Sequence, residues 1–280
     1  AGPQGPPFFV PGIRKSIQYK DLRSGWRRGQ GMTTKLVLIT GARGGLGTEL
    51  TKAVQARGWT PVCVGRDGAA LEATFGPDVA RVVADVGTPD GARAALADCA
   101  ERYGVPDGFA NCAGEVLIAP LHRTSEAQYR QCLRANLDTA FFGLGAWIDA
   151  LRAAGRPGAA VLVSSVAGRI GIPNHEAVAA AKGAVEALVR SAAATYASLG
   201  LRINAVAPGL VETPATAGFL RTDAGRRAMA AQYPLGRYGM PSDVAAAMAW
   251  LLSDEAAWTT GQILGVDGGF TAVRPTVKSA

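Results

Sequence analysis

Two stretches of this chain combine residue types and spacings that can do chemistry. The first is Thr40-Gly41-Ala42-Arg43-Gly44-Gly45-Leu46-Gly47, which follows an apolar strand pattern and opens a helical one. Glycines here allow a tight turn and a close approach of backbone to a ligand. The free N–H groups at a helix amino end then attract a pyrophosphate. The second stretch runs from Pro173 to Lys182 as PNHEAVAAAK. Asn174 follows a proline and reads as an N-cap. A helix from there puts Val178 and Lys182, four apart, on one face. His175, three before Val178, lies on the same side one turn toward the amino end. Imidazole titrates near neutrality, so His175 can pass a proton to a ligand beside Lys182, directly or through a water. The other reading of His175 is a loop residue facing solvent or a subunit contact. Glu176 is two before Val178, points away from that face, and favours the helix amino end by its charge.

Positioning such groups is the task of the elements around them. From Lys35 onward, LVLIT, TPVCV, ARVVA, GFAN, AAVLVSS, RINAVA and QILGV read as short apolar strands, most of them separated by helical patterns. Such alternation predicts a parallel sheet with helices on both faces. Residues 210–240 break the rhythm with VETPATAGF, a polar-basic helix and YPLGRYGMP. A long excursion after a strand's carboxyl end is where a substrate lid belongs. Phe219, Leu220, Tyr233 and Leu235 are expected to form its apolar wall, whereas Trp147 is expected in helix packing. Tyr233 is a further, weaker candidate as a proton donor.

With 280 residues and 48% hydrophobic content, the chain suits one large α/β domain. Residues 32–280 are expected to form it. Residues 1–31 read as a basic leader rich in Pro and Gly, an added or upstream-translated extension, with a transit peptide or partner-binding arm as the alternative. It is expected to be mobile or to dock on a neighbouring subunit. The net charge is +7, of which the leader supplies +5. The nearly balanced domain therefore argues against a nucleic-acid partner. No apolar run is long enough to suggest a membrane span. The four cysteines (Cys63, Cys99, Cys112 and Cys132) show no CxxC pairing and read as reduced thiols of a cytoplasmic protein. Neither they nor His122 and His175 cluster as zinc ligands do, so no metal is expected.

Taken together and in order, several motifs resemble the short-chain dehydrogenase/reductase (SDR) family over about residues 35–270. Thr40 to Gly47 matches its TGxxxGxG loop, with Gly41, Arg43, Gly45, Leu46 and Gly47 at the cofactor. Asp85-Val86 resembles its adenine-contacting pair. Asn111-Cys112-Ala113-Gly114 resembles its NNAG segment, with cysteine for the second asparagine. Pro208-Gly209 and Thr213 resemble the segment that holds the nicotinamide end. The resemblance implies that Asn136 organises the lysine and a water chain, that Ser165 holds the substrate oxygen, and that Lys182 also binds the nicotinamide ribose. Thirteen residues after Ser165 and four before Lys182, the family has its proton-donating tyrosine; this chain has Val178.

NAD-preferring relatives place an aspartate where Gly65 stands. Arg66 next to it suits a 2′-phosphate, a charge-assisted contact that favours NADP(H) over NAD(H), with Arg43 as a second contact. The alternative has Arg66 solvated and Asp67 reaching the ribose. The resemblance also implies one Rossmann-type doubly wound domain, a seven-stranded parallel sheet in order 3-2-1-4-5-6-7, and a homotetramer or dimer. It points to an NADP(H)-dependent oxidoreductase acting on a small carbonyl or alcohol with a donor other than tyrosine. The alternatives are a silent nucleotide-binding subunit or sensor, and an imine reductase, which needs no proton on its acceptor.

Overall fold

The computed structural model describes residues 34–274; the expectation for the leader lies outside them. Seven strands form one sheet: β1 (Leu36–Thr40), β2 (Thr60–Gly65), β3 (Arg81–Val83), β4 (Gly108–Asn111), β5 (Gly158–Val163), β6 (Leu201–Pro208) and β7 (Ile263–Val266). All neighbours pair in parallel, as the alternation of strands and helices predicts, and the order β3-β2-β1-β4-β5-β6-β7 is the one the family resemblance implies. The central strand β1 is buried along its whole length and apolar up to its last residue, Thr40, whose buried hydroxyl reaches Asn111 on β4. A strand covered on both faces has no solvent side, so it reads as a continuous hydrophobic run.

Among the described residues the sheet is accompanied by eight α-helices: α1 (Gly45–Ala56), α2 (Gly68–Phe75), α3 (Pro89–Arg102), α4 (Glu126–Leu133), α5 (Thr139–Ala154), α6 (Glu176–Tyr196), α7 (Asp223–Ala230) and α8 (Pro241–Leu252). Alternate β1 residues point to opposite faces. Leu36 and Leu38 join the core built with α3, α5 and α6, where Trp147 is fully buried. Val37 and Ile39 join the other core, built with α1, α2 and α8. Helix starts follow local capping chemistry: Thr88 caps α3 ahead of Pro89, and Ser125 with Gln128 forms a capping box on α4. Between α4 and α5 the chain does not break but widens into a single π turn, Arg134–Asp138. Such turns re-aim side chains and recur at functional sites.

The excursion after β6 is present as expected. Val211 and Gly239 bridge in parallel at its root. Between them lie a 3-10 segment, Pro214–Leu220, and α7. Its apolar wall is only partly formed. Leu220 and Tyr233 are buried, but Leu235 is 72% exposed and Phe219 is also exposed. The sequence pattern cannot separate these, because the segment is irregular and has no period to assign faces.

Candidate active site

The glycine loop is shaped by close approach. Gly41 has φ +64, and a Cβ there would stand 2.5 Å from the backbone N of Ala113, at the end of the neighbouring strand β4. A Cβ on Gly45 would lie 2.8 Å from Cγ2 of Thr213, at the root of the excursion. Gly47 is buried against the loop backbone, and Leu46 packs on the α1 core. Gly44, the N-cap of α1, contributes no side-chain cap, so the amino end of the helix stays open to an anionic group. A cleft of about 370 Å³ runs from here over the carboxyl ends of β1 to β4. That is where the strand order reverses around β1, the place where open α/β sheets bind nucleotides.

At one end of the cleft are Arg43 and Arg66, both exposed and, among the described residues, in no ion pair. A Cβ on Gly65 would meet the Leu71 side chain at 3.4 Å, an ordinary contact. Backbone geometry therefore does not demand glycine at that position. Asp67 uses its carboxylate to cap α2, accepting from the N–H of Ala70 at 3.0 Å. Asp85 also lines the cleft. It accepts from the N–H of Gly87 at 3.0 Å and pairs with Arg134 at 2.6 Å; Val86 beside it is buried. Arg134 has no role in the sequence reading. The only signal for it was its place two residues before Asn136.

Deeper in the cleft, polar side chains form a chain. The Thr40 hydroxyl donates to Asn111 Oδ1, Asn111 Nδ2 donates to Thr139 Oγ1 at 3.4 Å, and Thr139 Oγ1 donates to the carbonyl of Ala135 at 2.9 Å. This ties β1 and β4 to the π turn that carries Asn136. Asn136 is buried. Its Nδ2 donates to the carbonyls of Cys132 (3.0 Å) and Glu115 (3.1 Å), and its Oδ1 accepts from the N–H of Glu115 at 3.3 Å. Lys182, on α6, is 6% exposed, and its Nζ donates to the Val163 carbonyl at the end of β5 at 2.8 Å. A Cβ placed on Gly114 would lie 2.8 Å from Asn136 Oδ1 and 3.4 Å from Lys182 Nζ. The amide and the amine therefore converge behind Gly114, which lines the cleft. Burial pulls the Lys182 pKa down to about 8, against smaller opposing effects of Cys132 and Cys112. Burial pushes the Cys112 thiol up to about 12.

Ser165 follows β5 and caps a short turn, Val166–Gly168, accepting from the N–H of Ala167 at 3.1 Å. That turn lies against α6, with Gly168 close to the backbone of Lys182. The preceding residue, Ser164, faces away and donates to the buried Glu186 at 2.9 Å. Asn136, Ser165 and Lys182 thus come from three separate elements into one region. Pro208 ends β6 beside Val266, and Gly209 donates its N–H to the Val266 carbonyl at 3.2 Å.

The beginning of α6 differs from the sequence expectation by one residue. Asn174 adopts φ +62, a conformation asparagine tolerates better than most side chains. It is held there by the N–H of Ala119, which donates to its carbonyl at 3.0 Å. His175 becomes the N-cap residue, without a side-chain cap. Its Nδ1 lies 2.8 Å from the Pro173 carbonyl. A carbonyl only accepts, so Nδ1 carries the proton and Nε2 is the free nitrogen of the neutral ring. Val178 and Lys182 keep their shared face. Val178 is 6% exposed and packs with Cys132, Ala177 and Leu117 in a small apolar cluster. Tyr233 is turned toward the chain after β6: its hydroxyl accepts from the N–H of Leu210 at 2.7 Å, and its ring packs on Phe270.

A family model described as enoyl-(acyl carrier protein) reductase matches residues 41–271. The chain belongs to the short-chain dehydrogenase/reductase family. It is 39% identical over 258 residues to a cis-4-hydroxycyclohexanecarboxylate dehydrogenase of Sinomonas cyclohexanicum, covering 88% of this chain and all of that protein. It is 36% identical to a Xanthobacter autotrophicus protein described as an inactive 2-(S)-hydroxypropyl-CoM dehydrogenase, covering 80% of this chain and all of that one. Among solved structures, an SDR oxidoreductase of Burkholderia thailandensis superposes with a TM-score of 0.78 at 36% identity, covering 86% of this chain and 94% of that one. Membership in this family makes the chain an oxidoreductase of a family that binds a nicotinamide dinucleotide. The residues fit that cofactor: Gly41 and Gly45 leave room that side chains would fill, and the α1 amino end is uncapped.

Proposed function

We propose that this protein is an NADP(H)-dependent oxidoreductase that interconverts a carbonyl and an alcohol on a small molecule, using a proton donor other than tyrosine. The observation that carries the reading is the convergence of Lys182 Nζ and Asn136 Oδ1 behind Gly114, at the wall of the dinucleotide cleft. A buried amine and amide, costly to keep dry, are held there by a π turn and a strand end. When bound, the nicotinamide supplies or accepts hydride. The chain does the rest. Gly41, Gly45, Gly47 and the α1 amino end cradle the pyrophosphate. Asp85 with Val86, Asn111, Ala113 and Gly114 border the adenosine and central portions. Pro208, Gly209 and Thr213 close the nicotinamide end.

Arg66 and Arg43 select the 2′-phosphate, since the missing side chain at Gly65 leaves room for it and Asp67 is spent as a cap. Ser165 orients the substrate oxygen, while Lys182 with Asn136 holds the ribose and the proton path. The donor itself stays open in this reading: the sequence spacing offers His175, but the structure makes it the N-cap of α6 with Nδ1–H turned to the Pro173 carbonyl. The relatives named as dehydrogenases of a hydroxycyclohexanecarboxylate and a cyclohexadienediol support a cyclic alcohol as substrate. Cytoplasmic location and a homo-oligomer, a tetramer or dimer, belong to the same proposal; among the described residues no helix is long and apolar enough to cross a membrane.

One observation favours a second reading, a nucleotide-binding subunit or sensor without turnover: Val178 offers no proton, and one full-length relative carries the description inactive. Titrating NADPH and NADH by fluorescence, then adding a panel of cyclic ketones, secondary alcohols and cyclic imines, separates the two. Turnover by the wild type, with NADPH bound at least tenfold more tightly than NADH, is the result expected. Val178→Tyr should raise that turnover, because a positioned acid contributes about 10²–10⁴-fold. NADPH binding with turnover only in Val178→Tyr would establish the silent reading instead.

A further inference from the structure

We propose that Lys182 itself gives the proton to the substrate oxygen in reduction and takes it back in oxidation. The proposal rests on the oxidoreductase reading above and names the acid that reading leaves open. The other candidates are otherwise engaged. Val178, one helical turn before Lys182, is sealed against Cys132 and Leu117 and has no polar atom to offer. His175 stands off the helix face as the N-cap, with Nδ1 committed to Pro173. Tyr233 is held at the excursion's root, with its ring on Phe270 and its hydroxyl accepting from the N–H of Leu210, and burial raises its pKa, so it gives up its proton less readily.

Lys182 is already in place. Its Nζ spends one N–H on the Val163 carbonyl and stands behind Gly114 at the cleft wall, beside Asn136 Oδ1. An ammonium has three N–H bonds, so two remain, one for a ribose hydroxyl and one for the substrate oxygen. Where relatives interpose a phenol, a valine leaves the amine, one turn further along the same helix face, as the acid that stands behind Gly114 at the cleft wall.

The balance is simple. In reduction, the reduced nicotinamide dinucleotide gives hydride to the carbonyl carbon and is left oxidised. The C=O π pair moves onto oxygen. An Nζ–H bond breaks as the O–H bond forms, and Lys182 is left as a neutral amine until solvent returns a proton. Oxidation is the reverse and begins with the neutral amine.

The environment tunes the amine for both directions. The two thiols that face it, Cys112 from the end of β4 and Cys132 from α4, are both pushed up by burial and stay protonated near neutrality. Charged groups on the packed elements are turned to other partners: Glu115 to Gln131, Arg134 to Asp85, and Glu186 to Ser164, Arg169 and Arg190. Asp138, on the π turn, does not figure among the groups that shift Lys182. With burial dominant, the amine titrates near 8. It is therefore mostly charged at neutral pH yet able to lose its proton, whereas an ordinary lysine is a far weaker acid.

Two measurements on the full chain decide the matter. In the first, the pH dependence of reduction and oxidation is compared in wild type, His175→Ala and Lys182→Arg, with NADPH affinity measured alongside by fluorescence. Arginine keeps the charge that holds the ribose but does not deprotonate. Wild-type reduction should fall, and oxidation rise, as pH passes through about 8. His175→Ala should keep both limbs. Lys182→Arg should bind NADPH within a few-fold of wild type, lose both limbs, and fall by about 10²-fold or more in oxidation. In the second, the protein is labelled with carbon-13 at lysine Cε, and its six lysines are titrated by NMR without cofactor. One resonance, absent from Lys182→Arg, should move with a midpoint near 8. Limbs that survive in Lys182→Arg but vanish in His175→Ala, or a Lys182 resonance that titrates above 10, overturn this proposal and leave the oxidoreductase reading standing. Absence of turnover in both wild type and Val178→Tyr overturns that reading, and this one with it.

Discussion

Replacing Lys182 by methionine should stabilise the protein at neutral pH while removing its chemistry. The magnitude follows from the site. The amine titrates at about 8 in the fold against 10.5 when free. At about 1.4 kcal/mol per pK unit, keeping the charge in this dry position costs the folded state about 3 kcal/mol at pH 7. Methionine has a similar length and no charge, so that cost disappears. Against it stands the Val163 carbonyl, which loses the N–H that now reaches it at 2.8 Å. A buried acceptor left without a donor costs about 1–2 kcal/mol. The net expectation at pH 7 is a gain of about 1–2 kcal/mol for Lys182→Met.

The sign with pH is the sharper test. Between pH 8 and 10.5 the unfolded chain still holds the lysine proton and the folded chain has released it, so wild-type stability rises relative to the variant across that window. By pH 10.5 the variant's advantage should have turned into a deficit of about 1–2 kcal/mol. The buried cysteines work in the opposite direction above pH 9, because burial raises them in the fold. Both proteins carry them, so they cancel in the difference. Urea unfolding of the two proteins at matched pH values reads this directly, provided the denaturant slopes agree. A stability difference that stays constant from pH 7 to 10.5 would refute the account of Lys182 as a desolvated cation.

Three further predictions concern the cleft. Arg66→Ala should weaken NADPH binding about tenfold or more, the worth of one charge-assisted phosphate contact, and leave NADH unchanged. Gly65→Asp, at a position with ordinary room for a side chain, should add repulsion to the 2′-phosphate and reverse the preference in the same fluorescence titration. Gly41→Ala should behave quite differently. Its φ of +64 and a Cβ 2.5 Å from the Ala113 backbone leave nowhere to relax. A loss of at least about 2 kcal/mol in unfolding free energy is therefore expected, together with lost affinity for both dinucleotides.

Most of the fold is legible in the chain because its signals are local and redundant. Seven apolar runs, each flanked by turn residues and separated by helical patterns, fix strand number. Their buried-on-both-faces character fixes parallel pairing. Strand order came only through the resemblance, since no local pattern states which strand lies beside β1. The excursion after β6 was found by its broken rhythm, but its exposed Leu235 and buried Tyr233 were not separable without coordinates. The one-residue shift at α6 has a particular cause. Asn174 is as suited to a left-handed turn as to an N-cap, and the choice is made by Ala119, fifty-five residues earlier in the chain. No window around Asn174 contains that information.

That shift bears on the chemistry more than its size suggests. With Asn174 as the N-cap, His175 would sit on the helix face one turn from Val178, and an imidazole donor would be the natural replacement for the missing phenol. With His175 as the N-cap, its ring folds back on Pro173 and the face above Val178 is left apolar. The proton must then come from a group whose position depends on tertiary structure alone. Lys182 Nζ is brought to the cleft by the end of β5, by the π turn that aims Asn136, and by a glycine at 114 that leaves the gap between them. A side chain at position 114 would press on Asn136 Oδ1 and touch the amine. Gly114→Ala is thus a probe of the amine that leaves Lys182 itself intact. Its Cβ would stand 2.8 Å from Asn136 Oδ1, displacing it, and 3.4 Å from Nζ, an ordinary contact that puts a methyl group beside the amine. If the amine is the acid, this change should shift the pH limbs along with the Lys182 NMR midpoint, whereas a donor elsewhere would lose rate with its pH profile unmoved.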